Sequence, residues 1–295
     1  MPLIETKRLH LRRLDAGDGA FVPERPDDPF CLRRALRALA RTVAAAALAL
    51  AATGAAAADA NKVLRLAFPD ISALDPQQIG DLYSVRIAQQ IFEGLYEYSY
   101  LADPVRVVPN TAAQMPEIAD GGRRWTIRLR PGIRFTDDPA FGGRPRELVA
   151  ADYVYSIKRW LDPNLKAGGD AAFTDLIVGA RPVVDEARKP GGRLDYDAPM
   201  AGLRAVDRHT LEIRLTAVDY TVLERLASWR ALAVAREVIE ARGADPAPAP
   251  VGTGPYRLKE WKRGSRIVLE ANPAYRPLVF PEGVDPAYAA FAAGM

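Results

Sequence analysis

The stretch W-T-I-R-L-R-P-G-I-R-F-T-D, residues Trp125–Asp137, decides the fold class. Apolar side chains stand at every second position from Trp125 to Leu129, which is typical of a half-buried β-strand. Pro131-Gly132 is a turn signal, so we expect Ile133–Phe135 to return as the second strand of a hairpin. The stretch therefore predicts a strand pair with an apolar face.

Helices are expected on both sides of this stretch. Apolar residues recur at helical spacing from Val149 to Leu161, and Pro163 ends the pattern. Upstream, Asp81 is the expected N-cap of a helix that ends near Gly94. The other predicted elements are strands at Val63–Phe68 and Leu211–Leu215, helices at Asp219–Trp229 and Glu237–Arg242, and a hairpin of Tyr256–Trp261 with Arg266–Glu270. This irregular alternation predicts an α/β or mixed fold without internal repeats.

The net charge of the chain is confined to its start. Its 295 residues include 40 Lys and Arg against 37 Asp and Glu, which gives a net charge of +3. Residues 1–58 hold nine of the basic and six of the acidic side chains, so the remainder is neutral by count. Basic residues there are interleaved with acidic ones, so we expect no nucleic-acid binding.

The first 58 residues have the pattern of a leader. Arginines from Arg33 to Arg41 precede the uncharged, Ala-rich run Thr42–Ala58, and cleavage after Ala58 or Ala60 fits the small-residue rule. Residues 31–58 are therefore predicted to be a signal peptide, with a buried Ala-rich helix or a membrane anchor as the alternatives. Residues 1–30 are an unexplained extension. Within them Ile4–Leu14 resembles the first strand of a GNAT-type acetyltransferase, although a misplaced start explains this segment better.

Few residues are available for catalysis or metal binding. Cys31 is the only cysteine and lies in the leader, as does His10. His209 stands alone in a predicted turn, and the chain has no G-x-S-x-G motif. Val251–Tyr256 contains two glycines but lacks the spacing of a phosphate-binding loop. We therefore expect no enzyme activity, no catalytic residue, no cofactor and no metal site.

Several sequence blocks together resemble one known family. The blocks are A-L-D-P-Q (Ala73–Gln77), Q-Q-I-F-E-G-L-Y (Gln89–Tyr96), Trp125–Asp137, A-A-D-Y-V-Y-S-I-K-R-W-L-D-P (Ala150–Pro163), V-D-R-H-T-L-E-I-R-L (Val206–Leu215) and Gly252–Tyr275. In this order they resemble the family 5 extracellular solute-binding proteins of ABC importers, of the oligopeptide- and dipeptide-binding type.

The resemblance implies a two-lobed, hinge-closing α/β protein of the large type II periplasmic-binding class. It implies capture of a peptide or similar small solute in the periplasm by a monomer that delivers it to ABC permease subunits. The ligand would lie as an extended strand between the lobes. In the family, the segment after the L-D-P motif contacts the peptide backbone, which here is Gly80, Asp81, Leu82 and Tyr83. For Asp81, a role as loop residue and helix cap is the alternative.

The resemblance also implies a division of the chain. Residues 59–277 would be a partial first lobe, and 278–295 the truncated start of the second. A single lobe cannot close over a ligand, so we expect peptide affinities no tighter than millimolar. The alternative functions are an enzyme, either an acetyltransferase fragment or a hydrolase, and a periplasmic ligand presenter or chaperone that does not serve transport.

Overall fold

The computed structural model describes residues 63–100, 102–165, 169–243 and 249–277. These residues form six α-helices and eight strands. The helices are α1 (Leu82–Ile91), α2 (Ala150–Leu161), α3 (Ala171–Leu176), α4 (Ala180–Arg188), α5 (Val222–Leu226) and α6 (Arg236–Arg242). The strands are β1 (Tyr96–Tyr98), β2 (Val107–Pro109), β3 (Glu117–Ala119), β4 (Arg124–Arg128), β5 (Leu203–Asp207), β6 (Thr210–Arg214), β7 (Tyr256–Lys262) and β8 (Arg266–Ala271). Short 3-10 helices lie at Pro76–Gln78, Asp120–Gly122, Pro139–Phe141 and Trp229–Ala231.

Four of the strands form one antiparallel sheet in the order β3-β4-β6-β5. β4 and β6 are its centre, and Trp125 lies opposite Ile213 in their register. Apolar residues at alternate positions of both strands are buried, as the period of two dictates. The other face is charged, where Glu212 accepts from Arg204 and Arg214. The predicted strands at Trp125 and at Leu211 are thus confirmed.

The predicted hairpin after β4 is wrong. Pro131-Gly132 does turn the chain, but β4 pairs with β3 and β6, and Ile133–Phe135 instead lies along residues 146–148. The Phe135 amide donates to the Arg146 carbonyl at 2.9 Å, and the Leu148 amide to the Ile133 carbonyl at 2.8 Å. The distant strand β6 offers β4 a five-residue register, which a three-residue return cannot match.

The predicted strand Val63–Phe68 is also wrong, because residues 63–70 have no strand assignment. Their alternation gives a preference for extended backbone, but a strand also requires a neighbour to complete its hydrogen bonds. Among the described residues, no strand pairs with this segment.

The helix predictions differ in accuracy. α2 begins and ends at Ala150 and Leu161, as its apolar spacing predicts, and α6 ends before Gly243. The predicted helix Asp219–Trp229 is shorter, because only Val222–Leu226 is α-helical. None of the described helices is long and apolar enough to cross a membrane. The leader and the acetyltransferase-like stretch lie outside the described residues.

Two apolar clusters hold the described residues from Ala67 onward together. The sheet core consists of the buried face of β4 and β6 with α2, α3, α4 and α5 packed on it. The helix–hairpin core consists of residues 71–79, α1 and Leu232–Val234, with β7 and β8 packed against it. Helix α2 contributes to both, since Ile157 lies in the sheet core and Tyr155 in the helix–hairpin core.

The predicted β7–β8 hairpin is confirmed, and the chain before it packs tightly on α1. A Cβ atom added to Gly252 would lie 2.0 Å from the Ile91 carbonyl oxygen, so only glycine fits there. The Gly254 amide donates to the same carbonyl at 2.8 Å. This contact supports a structural role for the G-T-G-P-Y block (Gly252–Tyr256), which fixes the hairpin at the C-terminal end of α1.

Candidate functional site

The candidate ligand segment Gly80–Tyr83 leads into the first turn of α1. Asp81 is the N-cap of this helix, and its Oδ1 accepts a hydrogen bond from the Ser84 amide at 2.8 Å. Its Oδ2 accepts from the hydroxyls of Ser84 at 2.6 Å and Ser72 at 2.5 Å. Burial raises the pKa of Asp81, but these hydrogen bonds outweigh it and lower the pKa to about 2. The Asp81 carboxylate is therefore engaged in capping.

The residues around Asp81 leave an open surface. Gly80 is exposed, and a Cβ atom there would meet no atom within 4 Å. Leu82 is the first residue of α1, and its apolar side chain is 60% exposed. The Tyr83 ring stacks on Phe68, with ring centroids 6.2 Å apart and planes 4° from parallel. The segment therefore presents accessible backbone at Gly80 beside an apolar side chain.

A buried ion pair holds the chain just before this segment. Arg159 on α2 donates to both carboxylate oxygens of Asp75, at 2.9 and 2.6 Å, and both side chains are almost fully buried. It also donates to the Gln77 side-chain oxygen at 2.7 Å. The Gln77 side-chain nitrogen donates onward to the Leu232 carbonyl at 3.0 Å. These contacts join the 3-10 helix before Gly80 to both apolar cores.

Sequence reasoning missed this anchor. Asp75 and Arg159 both lie in the family-like sequence blocks. Their contact cannot be predicted from a local pattern, because 84 positions separate the two residues. The available signal is the position of Arg159 beside the apolar stripe of α2, next to Trp160 and Leu161. A charged residue there is buried and needs a partner.

A second ion pair, with a buried carboxylate and a partly exposed arginine, links the end of α1 to the last described block. The Glu93 carboxylate accepts two hydrogen bonds from Arg276, at 2.8 and 2.7 Å, and one from the Tyr275 hydroxyl at 3.2 Å. Arg276 donates further to the Asn110 side chain at 2.6 Å. Glu93 is 4% exposed, so this pair fixes the chain where the Gly252–Tyr275 block ends.

The predicted turn position of His209 is confirmed, and its ring has a carboxylate neighbour. Its amide does lie in a turn, where it donates to the Asp207 carboxylate at 2.8 Å. The ring is only 29% exposed, and its Nε2 lies 3.0 Å from a Glu147 carboxylate oxygen. Glu147 also accepts from Arg208 and from the Gly132 amide. His209 thus belongs to a group that joins the turn after β4 to the β5–β6 turn.

Comparisons with known proteins agree with this fold. Residues 106–290 match the family model described as "Bacterial extracellular solute-binding proteins, family 5 Middle". The chain is 29% identical over 228 residues to the periplasmic oligopeptide-binding protein OppA of Salmonella typhimurium, and the match covers 74% of this chain and 37% of that protein.

Solved structures give the same result. "Listeria monocytogenes OppA bound to peptide" superposes with a TM-score of 0.60 at 25% identity, covering 74% of this chain and 40% of that one. The Escherichia coli murein tripeptide binding protein MppA superposes with a TM-score of 0.56 at 26% identity, covering 71% and 38%. The chain thus spans less than half the length of these proteins, and its mixed α/β fold corresponds to part of theirs. It belongs to the family 5 bacterial extracellular solute-binding proteins.

Proposed function

We propose that this chain is part of the substrate-binding component of an ABC importer, which captures peptides or similar small solutes outside the cytoplasm for delivery to permease subunits. The observation that carries the proposal is the open backbone at Gly80 in a chain of this family. The Asp75–Arg159 ion pair holds the segment that precedes Gly80 in place. The relatives compared above are binding proteins by name, which supports a role without catalysis.

The segment Gly80–Tyr83 is the proposed contact, with a different task for each residue. The Gly80 backbone is free of side-chain cover and suits hydrogen bonding to an extended ligand main chain, as in strand addition. Leu82 supplies an exposed apolar contact, and Tyr83 supports it through its stack on Phe68. Asp81 holds the helix start in place and contributes to binding only through that position.

Peptides are the favoured ligand class. The compared proteins carry oligopeptide, peptide and murein tripeptide in their names. Recognition through the main chain accepts peptides with differing side chains, which fits a site with one open backbone position and one apolar residue. In this proposal residues 31–58 export the chain to the periplasm, residues 59–277 belong to the first lobe and 278–295 begin the second, and the protein acts as a monomer.

The test is an NMR titration of the chain with trialanine, which measures affinities in the expected millimolar range. We expect amide shifts concentrated at Gly80–Tyr83. Gly80→Ala should weaken binding about tenfold while the fold is kept, because the added methyl meets no protein atom but occupies the ligand's approach. Leu82→Ala should weaken it less.

The matched control for Leu82→Ala is Val206→Ala. Both residues are apolar and more than half exposed, but Val206 lies on β5, outside the proposed contact. The Val206→Ala variant should bind trialanine with the affinity of the unmodified chain. The proposed site would be contradicted, but not the proposed function, by peptide binding that leaves the amide shifts of residues 80–83 unchanged. Peptide binding that Gly80→Ala does not weaken would have the same meaning. The absence of any peptide binding by a folded chain would contradict both.

A further inference from the structure

A second candidate site lies at the opposite end of α1. A cavity of about 160 Å³ is lined by residues from the turn after β4, from the G-T-G-P-Y block and from the last described block. Its charged lining residues are Arg130, Arg134 and Arg276. With a water occupying about 30 Å³ in the liquid, the cavity has room for a small anion together with water.

The positive charge of the cavity is only partly neutralised. Arg276 is paired with Glu93. Arg130 uses its Nε to donate to the Ala112 carbonyl at 3.1 Å, which leaves its terminal nitrogens pointing to no acceptor among the described residues. Arg134 is exposed and lines the cavity, and it takes part in no ion pair among the described residues. Two arginines with spare donors therefore line one cavity, and none of its described lining residues is acidic.

The carboxylates near the cavity do not neutralise its arginines. Glu147 pairs with Arg208 and also accepts from the Gly132 amide at 2.7 Å. Glu97 is exposed and does not line the cavity. Partial desolvation and the charge of Glu93 raise the pKa of Glu97, while Arg276 and Arg130 lower it in part.

A polar wall residue lacks a partner as well. Thr253 lines the cavity, is 2% exposed, and its Oγ1 has no hydrogen-bond partner among the described residues. Buried hydroxyls are normally hydrogen-bonded, so an unpaired one beside a cationic cavity indicates an acceptor that is supplied by a ligand. An oxyanion offers several acceptor oxygens at once.

We propose that this cavity binds a small oxyanion, either inorganic phosphate or the carboxylate of an organic acid, through Arg130, Arg134 and Thr253. The site is separate from the proposed peptide contact. Gly252 and Gly254 pack on the C-terminal turn of α1, whereas Gly80 precedes its first turn, and ten residues of helix span about 15 Å. The proposal does not rest on the proposed function.

The experiment measures the melting temperature and calorimetric binding of the full chain with potassium phosphate, sodium acetate and sodium chloride at matched ionic strength. We expect phosphate or acetate to raise the melting temperature more than chloride does. The double variant Arg130→Gln/Arg134→Gln should bind that anion about tenfold more weakly, because two charged hydrogen bonds are lost. Both side chains are exposed, so the fold should be kept. Thr253→Val should weaken binding by less.

The matched control is Arg193→Gln, which removes an exposed arginine that does not line the cavity. It should bind the anion like the unmodified chain. If only phosphate raises the melting temperature, the site is assigned to phosphate. If only acetate raises it, the site is assigned to a carboxylate. Equal stabilisation by chloride, or an anion response that Arg130→Gln/Arg134→Gln and Arg193→Gln reduce equally, would overturn the proposal.

Discussion

The two apolar cores differ in how completely they are enclosed. In the sheet core, Ile127, Leu211 and Ile213 are fully buried, because the helices cover the apolar face of the two central strands. In the helix–hairpin core, the apolar residues of β7 and β8 stay half-buried, Trp261 and Leu269 among them. The sheet region therefore has the packing of a self-sufficient unit, while the helix–hairpin region depends on its attachment to α2.

The largest expected effect comes from cutting that attachment. Arg159→Met leaves the buried Asp75 carboxylate without its cationic partner, with only the hydrogen bonds from Gln77 and Gln78 remaining. We expect a loss of about 3–5 kcal/mol in the free energy of unfolding. Because the anchor joins the two regions, urea denaturation should change from one transition to two, with the helix–hairpin region unfolding first. The measurement is denaturation followed by both circular dichroism and tryptophan fluorescence.

The control for this change is Arg159→Met combined with Asp75→Leu. Removing both charges leaves no unpaired buried ion, so most of the lost stability should return. A double variant as unstable as the single one would show that the packing of α2, rather than the ion pair, connects the two regions.

A smaller effect compares the two cores directly. Ile127→Ala opens a cavity in a fully enclosed site and should cost about 2–5 kcal/mol. Leu269→Ala removes a half-buried side chain and should cost about 1 kcal/mol, since half the apolar area is already in water. Chemical denaturation of both variants measures the difference. Equal costs would mean that the hairpin is enclosed as fully as the sheet.

The smallest effect is a pH dependence at the helix cap. The Asp81 carboxyl has a pKa of about 2 in the folded chain against an ordinary 3.8. A lowered pKa means that the charged form stabilises the folded state above about pH 4, and that this contribution is lost as the pH falls towards 2. Asp81→Asn keeps a capping oxygen but no charge.

The stability difference between the unmodified chain and Asp81→Asn should stay within about 1 kcal/mol, since the group is partly exposed and solvent screens it. It should be largest above pH 4 and vanish near pH 2. Thermal unfolding across this range measures it. A difference that does not change with pH would mean that the charge of the cap contributes nothing.

Local patterns predicted most of the elements but not their partners. The alternation at Trp125 and the helical spacing up to Leu161 were sufficient to place β4 and α2, since both depend on neighbouring residues. The hairpin after β4 was mispredicted because strand pairing is decided by the best available register, and Leu211 lies far downstream. The strand at Val63–Phe68 was mispredicted because its alternation says nothing about a neighbour.

The candidate site was predictable in position but not in chemistry. The block containing Gly80 and Asp81 was identified from its order in the chain, and Asp81 was expected as a helix cap. That its carboxylate is consumed by Ser72 and Ser84 depends on a contact across nine residues, which spacing does not reveal. The Asp75–Arg159 contact is even less predictable from local patterns, because it joins residues 84 positions apart.

Gly252 and Gly80 show how a glycine required for folding can be distinguished from a glycine required for ligand binding. At Gly252 the Ile91 carbonyl excludes every other residue, so folding alone accounts for the glycine. At Gly80 nothing in the described chain excludes a side chain. In a saturation-mutagenesis screen scored separately for folded yield and for solute capture, position 252 would fail both scores with every substitution. Position 80 would pass the first and fail the second, which marks a residue whose constraint comes from outside the molecule.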